Sequence, residues 1–259
     1  MLGWSMNLFR VRGIRLAVHF SFFLLLAVNA FDGWANFGWS GVFWNTAALL
    51  AFFACVVLHE FGHSFTAMHF GIGVRRILLM PIGGMAEFES IPREPRRELL
   101  ITLAGPAVNF VIAGVLWLVL PRDISFDDDS LAAEALTLLS FGHLLLRWNL
   151  VMGCFNFLPA FPMDGGRILR AALATRMTYL RATFWAATIG KVLCGIGCVV
   201  ALYFDQLILA ALFAFIFVVG EMEYRATRQR EIDDAHWRAV LARMYSVEPP
   251  AEDPPLLTR

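Results

Sequence analysis

Charge is scarce in this chain. Asp, Glu, Lys and Arg make up 16% of its 259 residues against 59% apolar residues, and the mean hydropathy is +0.64. A water-soluble domain carries about a quarter charged residues, so the composition excludes an ordinary soluble protein and points to a polytopic membrane protein. Net charge is lacking as well. The 21 basic and 21 acidic residues cancel, so no global basic field marks a nucleic-acid partner. Cysteine is sparse: Cys55, Cys154, Cys194 and Cys198 all lie in apolar segments. They lack the paired spacing of a structural metal site or a disulfide framework. Cys194 and Cys198, four apart, read as small packing residues on one helix face. No internal repeat is visible, and no room remains for a further folded domain.

What is abundant is long apolar sequence. Six runs, roughly 17–31, 42–70, 98–120, 132–157, 183–203 and 207–224, are each near or somewhat above the ~20 residues that a bilayer requires. Arginine alternates between the connecting segments. Arg10, Arg12 and Arg15 precede the first run. Arg75, Arg76, Arg93, Arg96 and Arg97 follow the second, Arg167, Arg170, Arg176 and Arg181 the fourth, and Arg225, Arg228 and Arg230 the last. The intervening loops carry Asp32, then Arg122 alone against Asp123, Asp127, Asp128 and Asp129, then Asp205. This alternation predicts a multi-pass protein of the cell (inner or plasma) membrane with both termini cytoplasmic. Val28-Asn29-Ala30 imitates a signal-peptidase site, but the first run reads as an uncleaved span, because the downstream features need its orientation and not its removal.

Three stretches are not spans. Residues 7–16 alternate around Gly13 as a short hairpin would. Residues 72–90 read as strands broken by Pro81-Ile82-Gly83-Gly84. Residues 225–244 suit a cytosolic helix, followed by a Pro-rich tail from Pro249 to Arg259. The expected fold is therefore an all-α polytopic membrane protein with six transmembrane helices and a small β region near the cytosolic face. Residues 1–224 form its core, and 225–259 form a short cytosolic helix and tail.

Chemistry enters at His59-Glu60-Phe61-Gly62-His63. On a helix, residues four apart share a face, so both histidines can reach one metal ion while Glu60 stands beside them to handle a proton. Two histidines and a carboxylate in a membrane-length segment are costly unless they serve something. The bland alternative is a satisfied pair of core histidines. A catalytic zinc site needs a third protein ligand. The best candidate is Asp164, within Asn156-Phe157-Leu158-Pro159-Ala160-Phe161-Pro162-Met163-Asp164-Gly165-Gly166. Two prolines break the helix there, and broken backbone at membrane depth is tolerated where it lines a cavity. Taken alone, Asp164 also reads as a turn residue before two glycines. Arg147 and Lys191 fall inside predicted spans, where charges face the bundle interior or snorkel. His19 and His143 carry no assigned role, and His69 reads as interfacial. Gly105, Asn109 and Gly114 read as helix-packing residues.

Together, HEFGH at 59–63 and NFLPAFPMDG at 156–165 resemble the two motifs of the site-2 protease family of intramembrane zinc metalloproteases. Gly13 to His19, Met80-Pro81-Ile82-Gly83-Gly84 and Ala104-Gly105-Pro106-Ala107-Val108-Asn109 are similar to further family segments, so the resemblance reaches to about residue 224. It implies one zinc ion per chain held by His59, His63 and Asp164, with Glu60 as general base and acid. It implies peptide hydrolysis in a transmembrane or membrane-associated protein substrate, with the lipid bilayer as the setting and regulated intramembrane proteolysis as the role. It assigns no oligomeric state. Asn156 is expected either to hold the substrate or the developing oxyanion, or to cap carbonyls freed by the break. Gly83 and Gly84 are expected either to present a strand edge to an unwound substrate or to form a simple turn. The six-span members that the chain most resembles often carry a paired cystathionine-synthase-type module. The tail is too short for one, and no PDZ insertion is found. The rival readings are a zinc-handling transporter and an inactive scaffold for transmembrane helices. A carboxylate that is not needed as a ligand, beside two ligands, speaks against the first, and the complete ligand set against the second.

Overall fold

The computed structural model describes residues 4–90, 94–121 and 138–245. Arg93, the acidic loop from Arg122 to Asp129 and the Pro-rich tail lie outside these residues. The chain starts with a hairpin, β1 (Ser5–Val11) and β2 (Ile14–His19). Its turn carries Arg12 at φ 48 and Gly13 at φ 89, the left-handed pair that a two-residue hairpin turn requires. A second hairpin, β3 (Val74–Met80) and β4 (Gly83–Phe88), turns at Pro81-Ile82. The two hairpins join into one sheet of order β1-β2-β3-β4, in which β2 and β3 are parallel with Arg15 opposite Arg76. Both strand regions expected from the sequence are therefore present, and they form one sheet. Its inner face packs Ile14, Leu16, Val18, Ile77 and Leu79 against Phe22, Phe53, Val56 and Ala67 of the first helix and Ile101 of the second.

Between β2 and β3 runs α1 (Ser21–His69), 49 residues long. Straight, it would measure ~74 Å. Its two ends nonetheless feed neighbouring strands of one sheet, so it must double back. The reversal falls at Gly38, the residue inside α1 with non-helical angles, φ 63 and ψ −147. There the two arms approach so closely that a Cβ on Gly33 would lie 2.5 Å from the Gly41 carbonyl oxygen. The runs expected at 17–31 and 42–70 are these two arms.

The second helix, α2 (Pro95–Val119), starts on a proline at its first turn, where the missing N–H costs nothing. Then come α3 (Leu138–Asn156), α4 (Asp164–Ala174), α5 (Tyr179–Tyr203) and α6 (Leu207–Tyr245). The start of the run expected at 132–157 lies outside the described residues. The α3 helix ends where Pro159 and Pro162 forbid its continuation. The α4 helix was not expected: Gly165-Gly166 in its first turn conceals it from propensity arguments. The glycines are needed there, because a Cβ on Gly166 would lie 2.7 Å from the Phe161 backbone nitrogen. The α6 helix unites the expected last span and the expected cytosolic helix in one rod.

Among the described residues, four helices are long and apolar enough to cross a membrane: α1, α2, α5 and α6. The expected six are not reproduced as six such helices: two of the runs fall within α1, and α3, whose run begins outside the described residues, is not among the four. In these helices only 17–33% of the most apolar stretch is buried within the protein. Side chains such as Leu118, Val119 and Ile208 stand exposed, a surface tolerable in hydrocarbon and not in water.

Candidate metal centre

Three elements meet at the histidines. The second arm of α1 carries His59 and His63 one turn apart, α2 crosses beside them, and the segment after α3 delivers Asp164 at the start of α4. Close approach of α2 requires small residues on both sides. A Cβ on Gly62 would lie 2.6 Å from the Ala104 carbonyl oxygen. A Cβ on Gly105 would lie 2.8 Å from His59 Nε2 and nearer still to His63 Nε2.

The donor atoms form a nearly equilateral triangle. His59 Nε2 and His63 Nε2 are 3.1 Å apart, and Asp164 Oδ2 lies 3.2 Å from each. Tetrahedral zinc with bonds of 2.0–2.1 Å needs ligand atoms ~3.3 Å apart. All three residues are buried, and Asp164 Oδ2 has no hydrogen-bond donor of its own. An orphaned carboxylate oxygen facing two imidazole nitrogens is what a cation would satisfy, so the donor set fits zinc.

Each histidine is held by its far nitrogen. His63 Nδ1 donates to the Ile101 carbonyl at 2.8 Å, and His59 Nδ1 donates to Asn109 Oδ1 at 2.6 Å. This arrangement directs the Nε2 lone pairs inward. Asn109, read from the sequence as a packing residue, is thus a direct partner of His59, and Gly105 is the floor beneath both rings. The one signal that could have raised Asn109 is its polarity within an apolar run.

The other expected residues divide. Glu60 is half-buried next to Gly84: a Cβ on Gly84 would lie 2.7 Å from Glu60 Cγ. The β4 strand, outermost in the sheet, therefore runs alongside Glu60. Gly83 opens β4 opposite Met80, directly after the turn, at φ 133, where side chains are strained. Asn156 Nδ2 donates to the Met152 carbonyl, four residues back in its own helix, at 3.0 Å. Lys191 donates to Glu221 of α6 at 2.8 Å. His19 Nδ1 is paired with Ser21 Oγ at 2.6 Å.

A buried ion cluster anchors the Asp164 side of the site. Arg170 of α4 donates through Nε to Glu98 of α2 at 2.8 Å and through Nη1 to Glu223 of α6 at 3.1 Å. Its guanidinium lies 5.2 Å from the Phe161 ring and 5.0 Å from the Tyr179 ring. Burial disfavours the charged form, but Glu98, Tyr179 and Glu223 outweigh it and hold the Arg170 pKa above the ordinary arginine value.

These features define a site that could hold one metal ion, on a helix long and apolar enough to cross a membrane, with a carboxylate beside it. The sequence profile of Peptidase family M50 matches residues 47–126 and 121–197. The solved Site-2 Protease from Methanocaldococcus jannaschii superposes with a TM-score of 0.58 at 36% identity, covering 85% of this chain and 95% of that one. A zinc metalloprotease of the same archaeon is 38% identical over 231 residues, 89% of this chain and 64% of the relative. Stage IV sporulation protein FB of Bacillus subtilis is 27% identical over 200 residues, 76% of this chain and 64% of the relative. The chain belongs to peptidase family M50. It spans about two thirds of the length of these two curated relatives (64% of each).

Proposed function

We propose that this chain is a zinc-dependent endopeptidase that cuts a transmembrane or membrane-associated protein substrate inside the bilayer, near its cytosolic leaflet. The observation that carries the reading is the triangle of His59, His63 and Asp164 with Glu60 at its side. Zinc bound there would supply a Lewis acid that polarises the peptide carbonyl and acidifies water. Glu60 accepts the proton of the attacking water and returns it to the leaving amide nitrogen. The outward edge of β4 offers backbone donors and acceptors to an unwound substrate strand, and Gly84 brings that edge against Glu60. A substrate helix hides its peptide bonds, so strand capture exposes them where the proton acceptor waits. Regulated intramembrane proteolysis is the corresponding cellular role.

The proposed topology has six crossings, two of them the arms of α1 and one of them α3, in the cell membrane with both termini cytoplasmic. Residues 1–224 would be the protease core and 225–259 a cytosolic appendage. Support comes from the pairing of β2 with β3, which keeps both ends of α1 on one side of the membrane.

The test is cleavage of a single-span substrate by purified wild-type and Glu60→Gln protein, with zinc measured in parallel. Glu60→Gln should keep about one zinc ion per chain and lose ~10²–10⁴-fold or more in rate. Equal cleavage by both proteins would end the mechanism. No cleavage by either, with zinc bound, would favour a zinc-handling transporter.

A further inference from the structure

The His63 tautomer is set by a backbone carbonyl, whereas the His59 tautomer is set by side chains. We propose that Asn149, acting through Asn109, is a positioning residue that fixes His59 in the tautomer whose Nε2 is free to bind metal. This inference rests on the ligand assignment proposed above.

The relay starts at the Leu145 carbonyl of α3. A carbonyl only accepts, so the atom of Asn149 that meets it at 2.8 Å is the amide nitrogen. The second hydrogen of that nitrogen points to Cys55 Sγ at 3.3 Å. Asn149 Oδ1 is thereby left facing Asn109, whose Nδ2 donates to it at 2.9 Å. Asn109 Oδ1 must then face His59, and it too only accepts. His59 Nδ1 therefore carries the proton. A neutral imidazole has one N–H, so His59 Nε2 carries a lone pair. Reversing either amide would set carbonyl oxygen against carbonyl oxygen, or would place the proton on Nε2, where it blocks the metal.

The surroundings make the relay stringent. Asn109 and Asn149 are wholly buried, so a misdirected amide finds no water to correct it. Carboxamides do this work without adding a charge at membrane depth. The relay also joins three helices: Cys55 and His59 on α1, Asn109 on α2, and Leu145 and Asn149 on α3. A position that touches no metal ligand thus decides how one ligand presents itself.

The experiment uses full-length chain in detergent, labelled with nitrogen-15 at histidine. Zinc affinity is read by chelator competition, and the two ring tautomers by NMR. In wild-type protein both His59 and His63 should carry the proton on Nδ1. Asn149→Leu keeps the bulk and removes the relay. It should weaken zinc binding ~10–100-fold and lose the His59 Nδ1–H signal, while the His63 signal persists as evidence of an intact fold. Cys55→Ala, which leaves Leu145 to direct the amide, should bind zinc within about twofold of wild type. Wild-type affinity in Asn149→Leu, with the His59 signal retained, overturns the relay and leaves the ligand assignment standing. Should Asn149→Leu not fold, the wild-type spectrum alone decides, because a His59 protonated on Nε2 or bound through Nδ1 contradicts the relay. Wild-type protein that binds no zinc removes both readings.

Discussion

At the level of single residues, the site depends as much on an absent side chain as on its donors. Gly105 lies where any Cβ would press on the Nε2 atoms of both His59 and His63. Gly105→Ala should therefore cost most of the bound zinc while leaving the helical circular dichroism spectrum nearly unchanged. Metal analysis of the purified protein checks this, and full zinc content would mean that α2 can retreat. His59, Glu60 and His63 were legible in the sequence because their relation is local: four positions along one helix fix their geometry. Asp164 was legible through the prolines before it. Gly105, Asn109 and Asn149 were not, because a contact between one residue on one helix and one on another leaves no periodic trace.

At the level of elements, β4 flanks Glu60, and the ion cluster ties α4, which carries Asp164, to α2 and α6. The strands could be read from alternation and from Gly and Pro punctuation, and they appear where expected. The α4 helix escaped because its first turn is glycine-rich, and two membrane runs merged into α1 because the break at Gly38 interrupts helical angles at one position. The outward edge of β4 invites a direct test. Met85 is 39% exposed, and a photo-crosslinking residue there, in the Glu60→Gln background, should capture a single-span substrate at every second position, as strand pairing requires. Crosslinks scattered without period would reduce the segment to a turn. Gly84→Val is a poorer probe, since it displaces Glu60 directly. In the ion cluster, Arg170→Ala strands the buried Glu98 carboxylate. Loss of one partner from a buried pair costs ~3–5 kcal/mol, so thermal unfolding in detergent should occur at a lower temperature. Arg170→Met combined with Glu98→Met should recover much of the loss. An unchanged midpoint for Arg170→Ala would show that water reaches Glu98.

For the whole molecule, the parallel pairing of β2 with β3 constrains the path through the bilayer more tightly than hydropathy does. An odd number of crossings in α1 would leave the two strands on opposite sides of the membrane. Reporter fusions after Asp32 and after Asp205 should accordingly report outside the cell, and a fusion after Phe88 inside. An outside signal after Phe88 would invert the site and refute the topology. The arginine alternation carries the same expectation independently, because it depends on loop charge and not on strand pairing.

That pairing also dictates an order of events during synthesis. β2 leaves the ribosome about sixty residues before β3, a lag of ~3–12 s at ordinary elongation rates. Until then the free edge of β2 has no strand to pair with, and it can find one only after the whole of α1 has been made. Asp164 emerges later still, at the start of α4. A nascent chain thus makes its four strands and its two histidines before Asp164 can complete the triangle. On the proposed mechanism, a product that stalls before residue 164 lacks Asp164 and would stay inert.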